Sequence, residues 1–381
     1  MVPGLHLLAE LVATGVSSGL GAAGELSGQE AGKGARELTD VLWLRGGRAV
    51  EERVLEDLDR RLAGVPTEVL SLGLERPGGG ARSLAGQGLR LPAAARAAAR
   101  ALVRHRSQVL LGLGGYVSAP AVLGARLARV PVVLLEVNAL AGRATRLLSP
   151  LARRVVHAWS ETMPGPGGFG GSRPSARHRQ LGPPLAAEYL GAADDGTARE
   201  RLGFPPQRPL LLVLGGSQGA GVLNNFVASQ GHHLLAGGLS VLHQTGPRRL
   251  GEAAAGLSKE HYRAVEYLNP VSTALAAATV TLCRGGAGTL AEVAGRLLPA
   301  WVVPYEHGDR HQARNAAQLG AGVRVVSEAS LAESAGDAAR ELAALAFDLP
   351  QRQAMAAALA AAMPRDGAAA LGRVLGELAK T

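Results

Sequence analysis

Two apolar runs that break off into glycine-rich turns constrain this chain more than anything else in it. They read "LLLVLGGSQGAGVLNN", residues 210–225, and "LCRGGAGTLAEVA", residues 282–294. A short run with no polar alternation is the pattern of a strand buried on both faces. The helical stretch after each turn makes the unit β-α, and repeated β-α units build parallel sheets covered by helices. The same alternation predicts strands at Leu5–Ala13, Val41–Leu44, Gln108–Leu113 and Pro131–Leu135, with a helix over Ala119–Ala128. It restarts with strands at Pro209–Leu214, Leu239–Gln244, Val280–Cys283, Ala300–Val303 and Val323–Val326, then an alanine-rich helical tail from Ala338 to Lys380. Between the halves lies "MPGPGGFGGSRPSARHRQ", whose glycine, proline and serine mark a linker. The expected fold class is α/β, with two Rossmann-like doubly wound domains. The boundaries read as 1–165, a linker over 166–180, a second domain over 181–360, and a C-terminal helix over 361–381 that packs back on the first domain.

Composition narrows the function. A chain of 381 residues, 47% apolar and 19% charged, is long enough for two ordinary cores. At 3% aromatic residues it lacks stacking platforms, and no nucleic-acid-binding motif appears, so no nucleic-acid partner is expected. The single cysteine, Cys283, excludes an internal disulfide and suits a reducing compartment. No signal peptide is read at the N-terminus. The uncharged, mostly apolar run Ser107–Ala125 is interrupted by Gly112, Gly114, Gly115, Pro120 and Gly124, so it is not expected to span a membrane.

The net charge of +9 is uneven. Residues 81–180 carry fifteen arginines against two acids, whereas residues 181–381 carry seventeen of each sign. One reading is a surface for anionic lipid. The other is arginine-biased composition, since the chain has only three lysines. In "LRLPAAARAAARALVRHR", Arg96, Arg100 and Arg104 recur at helical spacing, which fits docking on an anionic leaflet or a solvated helix face.

Three stretches carry chemistry. At Gly215–Gly219 a strand ends, two glycines turn, and Ser217 with Gln218 and Gly219 would open a helix whose N-terminus favours phosphate. At Arg284–Thr289 the same logic recurs, with Glu292 placed to accept hydrogen bonds from ribose hydroxyls. A Thr289-x-x-Glu292 capping box is the competing reading there. In "PYEHGDRHQARN", Gln312 and Asn315 share a helical face suited to sugar hydroxyls, and a polar loop is the alternative. His307 and His311 lack the third ligand of a metal site, so no metal is expected. Three such loops at one end of one sheet would share a crevice for a nucleoside diphosphate joined to a polyol.

These motifs, with "GLGGYVSAPAVLGARLARVPVVLLEVNALAGRATRLLSPLARRV" in the first half, resemble the MurG family over most of the chain. The resemblance implies a GT-B glycosyltransferase, its two domains facing a cleft. It would move N-acetylglucosamine, with inversion, from UDP-N-acetylglucosamine to the 4-hydroxyl of a lipid-linked N-acetylmuramyl-pentapeptide in peptidoglycan synthesis. It implies a peripheral protein at the cytoplasmic face of the cell membrane, on an anionic surface, with no cofactor. By the same resemblance Ser217 binds the UDP part and the Leu268 backbone lies near the uracil. Ala287, Gly288, Thr289, Leu290, Ala291 and Glu292 line the diphosphate and ribose, and Gln312 holds the donor sugar. Ser17, Ser18, Gly19 and Asn138 fall on the acceptor side.

The chain departs from the family pattern at Leu20, where the family has histidine, at Leu135 and Val137 in "LEVN", and at Ala186. With Leu20 there, Glu136 is a candidate base, with an acid ending a buried strand as its other reading, and His6 and Glu10 in the expected first strand are weaker ones. A UDP-sugar binder without turnover and an epimerase-type enzyme are the competing functions.

Overall fold

The computed structural model describes residues 40–46, 62, 65–73, 81–115, 117–162, 177–253, 256–306 and 311–379. The expected strand at Leu5–Ala13 and the loop with Ser17, Ser18, Gly19 and Leu20 lie outside them. Two units form, one from Met1–Ala186 with Asp366–Thr381 and the other from Ala187–Arg365.

In the first unit, strands β1 (Val41–Arg45) and β2 (Thr67–Ser71) pair in parallel. The long helix α1 (Ala81–Arg104) follows. Then come β3 (Leu110–Gly112), α2 (Ser118–Leu127), β4 (Val132–Glu136), α3 (Arg143–Leu148), β5 (Arg154–His157) and β6 (His178–Gln180). The last four strands form a parallel sheet in the order β3-β4-β5-β6. Strand β6 occupies the last three residues of the expected linker. It is a polar, half-exposed edge strand, so no apolar run announces it. Helix α1 buries Ala94, Ala95, Ala98, Ala101 and Leu102, leaving Arg96, Arg100 and Arg104 exposed.

The second unit opens with the short helix α4 (Gly196–Arg201). Its six strands are β7 (Leu210–Leu214), β8 (Ser240–Gln244), β9 (Tyr262–Val265), β10 (Val280–Cys283), β11 (Ala300–Val302) and β12 (Val323–Val325). All pair in parallel, in the order β12-β11-β10-β7-β8-β9. The connecting helices are α5 (Gly221–Ala236), α6 (Val271–Ala277), α7 (Ala287–Gly295) and α8 (His311–Ala317), followed by α9 (Glu328–Glu333), α10 (Ala335–Phe347) and α11 (Leu349–Ala362). Strands β7 and β10 are buried at every residue; β7 is apolar throughout, and the one polar side chain of β10, Thr281, donates its hydroxyl to Leu212 O at 2.8 Å. The last helix, α12 (Gly367–Ala379), returns to the first unit, where Ala368, Leu371, Val374 and Leu378 cover Val133, Leu135 and Val156.

One ion-pair network ties α4 to the amino ends of β7 and β10. Asp194 accepts from Arg199 (2.5 Å), Thr279 (2.7 Å) and Arg352 (2.8 Å), while Thr279 Oγ1 also accepts from Leu210 N (3.1 Å). Burial alone would raise the Asp194 pKa, but hydrogen bonds from Thr279, Arg199 and Arg352 outweigh it and hold the carboxyl below its usual range. Its contribution to stability is therefore complete above the ordinary carboxylate pKa near ~4 and fades as pH falls through the lower folded value. Arg199→Ala should cost about 3 kcal/mol at pH 7, the low end for a broken buried pair, because Asp194 keeps 35% of its side chain in water. Urea unfolding at pH 7 and pH 3 checks this, and the gap to the parent should narrow at pH 3.

Candidate functional site

Strand order selects one place on the second unit. From β7 the chain steps outward to β8 and β9, and from β10 it steps the other way to β11 and β12. Neighbouring strands whose connections diverge leave a crevice beyond their carboxyl ends. The two glycine-rich loops stand on either side of it.

In the first loop Gly216 and Gly219 take left-handed φ values of +77° and +71°. Gly219 N donates to Gly216 O at 3.0 Å, closing a turn. The helix therefore starts at Gly221, not at Ser217 as expected, because left-handed residues do not continue an α-helix. Ser217 and Gln218 are exposed at the tip of the turn. Gly219 rests on the loop after β8, where an added Cβ would lie 2.0 Å from Thr245 O. Gln244 Nε2 donates to Gly216 O at 3.0 Å from the same side. This second loop, which opens with Thr245 and Gly246, was not singled out from the sequence, although it too follows a predicted strand and carries a glycine.

In the loop after β10, Gly286 is the N-cap of α7 and supplies no side-chain cap, and no acid occupies the first turn. That corrects the capping-box reading, since Thr289 lies inside the helix. The first-turn N–H groups have no intrahelical partner, so they form a donor array with the positive end of the helix dipole behind it. Ala287 is buried, and Gly288 and Thr289 are half-buried. The Leu290 side chain is in the core and its N–H donates to Gly286 O. Ala291 is buried, and Glu292 is 8% exposed two residues beyond Leu290.

Gln312 and Asn315 hold this loop from behind. Gln312 Oε1 accepts from Gly285 N (3.1 Å) and Tyr305 N (2.9 Å), and Asn315 Nδ2 donates to Gly285 O (3.1 Å). Two backbone donors on one oxygen fix the Gln312 amide, leaving its Nε2 as the group it presents elsewhere. Asn315 is 1% exposed, so its amide serves the loop, not a sugar hydroxyl as expected. Arg284 is likewise committed to Glu328 (2.6 Å) and Val303 O (3.1 Å), with its guanidinium over the Tyr305 ring. It is no phosphate clamp. Burial pushes the Cys283 thiol up to about 12, which removes it as a nucleophile near neutral pH. His307 and Asp309 lie outside the described residues, and Leu268 is buried in the loop after β9.

In the first unit Glu136 ends β4 at 5% exposure. Its Oε1 accepts from Asn138 N (3.1 Å) and Nδ2 (2.9 Å), and its Oε2 from Gly142 N (2.9 Å) and Thr145 Oγ1 (2.7 Å). A carboxylate with both oxygens so occupied anchors the β4–α3 connection. These contacts match its other reading, an acid ending a buried strand, and give Asn138 a fixed place beside it.

Residues 37–157 match the N-terminal domain of glycosyltransferase family 28 and residues 210–366 match its C-terminal domain. A relative from Nocardioides sp. is 34% identical over 347 residues, covering 89% of this chain and 90% of its own. The chain belongs to the MurG family. The Nocardioides protein is named UDP-N-acetylglucosamine--N-acetylmuramyl-(pentapeptide) pyrophosphoryl-undecaprenol N-acetylglucosamine transferase. A relative of the same name from Frankia casuarinae is 41% identical, and this chain spans about 60% of its length. The crystal structure of Acinetobacter baumannii MurG superposes with a TM-score of 0.64 at 20% identity, covering 98% of this chain and 96% of that one. The expected GT-B class of fold is thus met, and the chain is a family 28 glycosyltransferase by descent.

If Glu136 is an anchor, Glu136→Gln should lower Tm by several degrees, since one of its oxygens becomes an amide facing donors. It should leave the shape of a pH–rate profile unchanged, whereas loss of a general base would remove its acidic limb.

Proposed function

We propose that this MurG-family chain transfers N-acetylglucosamine from UDP-N-acetylglucosamine to the 4-hydroxyl of an undecaprenyl-pyrophosphoryl N-acetylmuramyl-pentapeptide. The observation that carries the donor half is the uncapped N-terminus of α7 beside the Gly215–Gly219 turn, at the divergence of β7 and β10. The names of relatives at 34–41% identity supply the acceptor. The acceptor hydroxyl attacks C1 of the sugar with inversion and gives up its proton to water, the bond to the β-phosphate oxygen breaks, and UDP leaves with that electron pair. Charge developing on the diphosphate is met by N–H groups of Ala287, Gly288 and Thr289 and by Ser217. Glu292 takes the ribose hydroxyls, the Leu268 backbone flanks the uracil, and Gln312 Nε2 holds the sugar. Asn138, Ser17, Ser18 and Gly19 serve the acceptor.

We assign the first unit to the cytoplasmic face of the membrane, as a peripheral protein. Among the described residues no helix is long and apolar enough to cross a membrane. The exposed arginines 96, 100, 126, 129, 143, 146 and 153 support attraction to an anionic leaflet, at about 1 kcal/mol for each residue near the surface. Arg104 contributes less, being paired with Glu68. Leu127 and Leu147 are exposed among these arginines and offer apolar contact.

The test is transfer of labelled N-acetylglucosamine to a short-chain lipid acceptor, beside titration with UDP. Gln312→Ala should raise the donor KM about tenfold or more through the lost sugar contact and the loosened Gly285. UDP binding without transfer by the parent would replace the transferase with a UDP-sugar binder. Flotation should recover the protein with phosphatidylglycerol vesicles and lose it at about 0.5 M salt, where the Debye length falls to a few ångströms.

A further inference from the structure

Beneath the first glycine loop runs a buried polar chain that no step above uses. Tyr262 OH lies 3.1 Å from His243 Nδ1, and His243 Nε2 lies 3.0 Å from Asn224 Oδ1. Asn224 Nδ2 donates to Thr245 O at 3.1 Å. Asn224, His243, Thr245 and Tyr262 are all buried.

The chain has one direction. A carbonyl can only accept, so Asn224 must turn its Nδ2 to Thr245 and its Oδ1 to His243. His243 Nε2 therefore carries the proton and donates, Nδ1 accepts, and the Tyr262 hydroxyl donates to it. Burial keeps the members in the required states, with His243 lowered to about 4 and Tyr262 raised to about 12. The chain ends on the carbonyl against which Gly219 rests, where no Cβ fits. Gly246, the next residue, also abuts Gly219, at 2.5 Å from its own added Cβ to Gly219 Cα.

We infer that Asn224, His243 and Tyr262 are positioning residues for the Gly215–Gly219 loop, fixing the Thr245 ledge that sets where Ser217 and Gln218 stand. The inference rests on the donor reading of that loop for its effect on UDP, and on contacts alone for its effect on the loop. None of the three residues is exposed to a ligand, so they act through the ledge. Fixing the loop before the nucleotide arrives removes an ordering cost from binding, which appears in donor affinity and not in the chemical step.

The test uses the full chain carrying Tyr262→Phe, which removes one hydroxyl, and Asn224→Ala, which removes the link to Thr245. Thr279→Val is the comparison, a buried polar deletion at the opposite end of the sheet. Three quantities are read: UDP affinity by calorimetry, donor KM and kcat, and amide exchange over residues 215–220 without ligand. Both chain variants should weaken UDP and raise donor KM together, by about fivefold or more, with kcat within about twofold. Both should speed exchange at Gly219. Thr279→Val should lower Tm while leaving affinity and exchange at parental values. Parental exchange and affinity in Asn224→Ala, or equal changes in Thr279→Val, would overturn the inference. A parent that binds no UDP while the variants still speed loop exchange would remove the donor reading and leave the positioning role standing.

Discussion

The parallel pairing of β7 with β10 is the constraint on which the rest of the site depends. These strands are the first and fourth of their unit in sequence, and they become neighbours because the chain leaves them in opposite directions. Their glycine loops stand side by side for that reason. Backbone contact then fixes each loop: Gly219 against the Thr245 carbonyl, Gly285 between Gln312 and Asn315. In both places a side chain on the glycine would collide with backbone, so the loops are specified by the absence of atoms as much as by any bond.

The polar residues that looked most reactive in the sequence turn out to be occupied. Glu136, Arg284 and Asn315 each spend their polar atoms on local partners. The reason is energetic. A buried charge or amide costs several kcal/mol unless its donors and acceptors are satisfied, so a polar side chain at a strand end is recruited first by the turn beside it. What remains for an anionic ligand is the uncapped start of α7 with the exposed tip at Ser217 and Gln218. The groups fitted to hold a diphosphate are largely backbone groups, which any sequence carries and only certain turns expose.

That division explains what could be read from the chain before its fold was known. Strands β7, β10 and β11 were legible because burial on both faces leaves a mostly apolar run, broken in β10 only by Thr281. Two of the edge strands leave no such mark. β6 reads His178-Arg179-Gln180, and β9 is buried only at Tyr262. The glycine loops were legible from their glycines, but the start of α5 was set four residues early, because the turn depends on φ values the letters do not state. The chain from Tyr262 to Asn224 was invisible for another reason. Its members lie on β9, β8 and α5, nineteen residues apart at each step, and only the sheet brings them together.

The distribution of charge follows the same split between side chains and backbone. Residues 181–381 hold equal numbers of basic and acidic side chains, while residues 81–180 hold fifteen arginines and two acids. A unit that met a diphosphate with helix N-termini would need no excess of cations to do so, and Arg284, beside the loop after β10, is neutralised by Glu328. A basic second unit would attract any polyanion without regard to shape. Dipoles act over a turn of helix, whereas net charge acts over a Debye length. On the proposed function, discrimination of a nucleotide would fall to short-range groups in one unit, and attraction to an extended anionic surface to the long-range charge of the other.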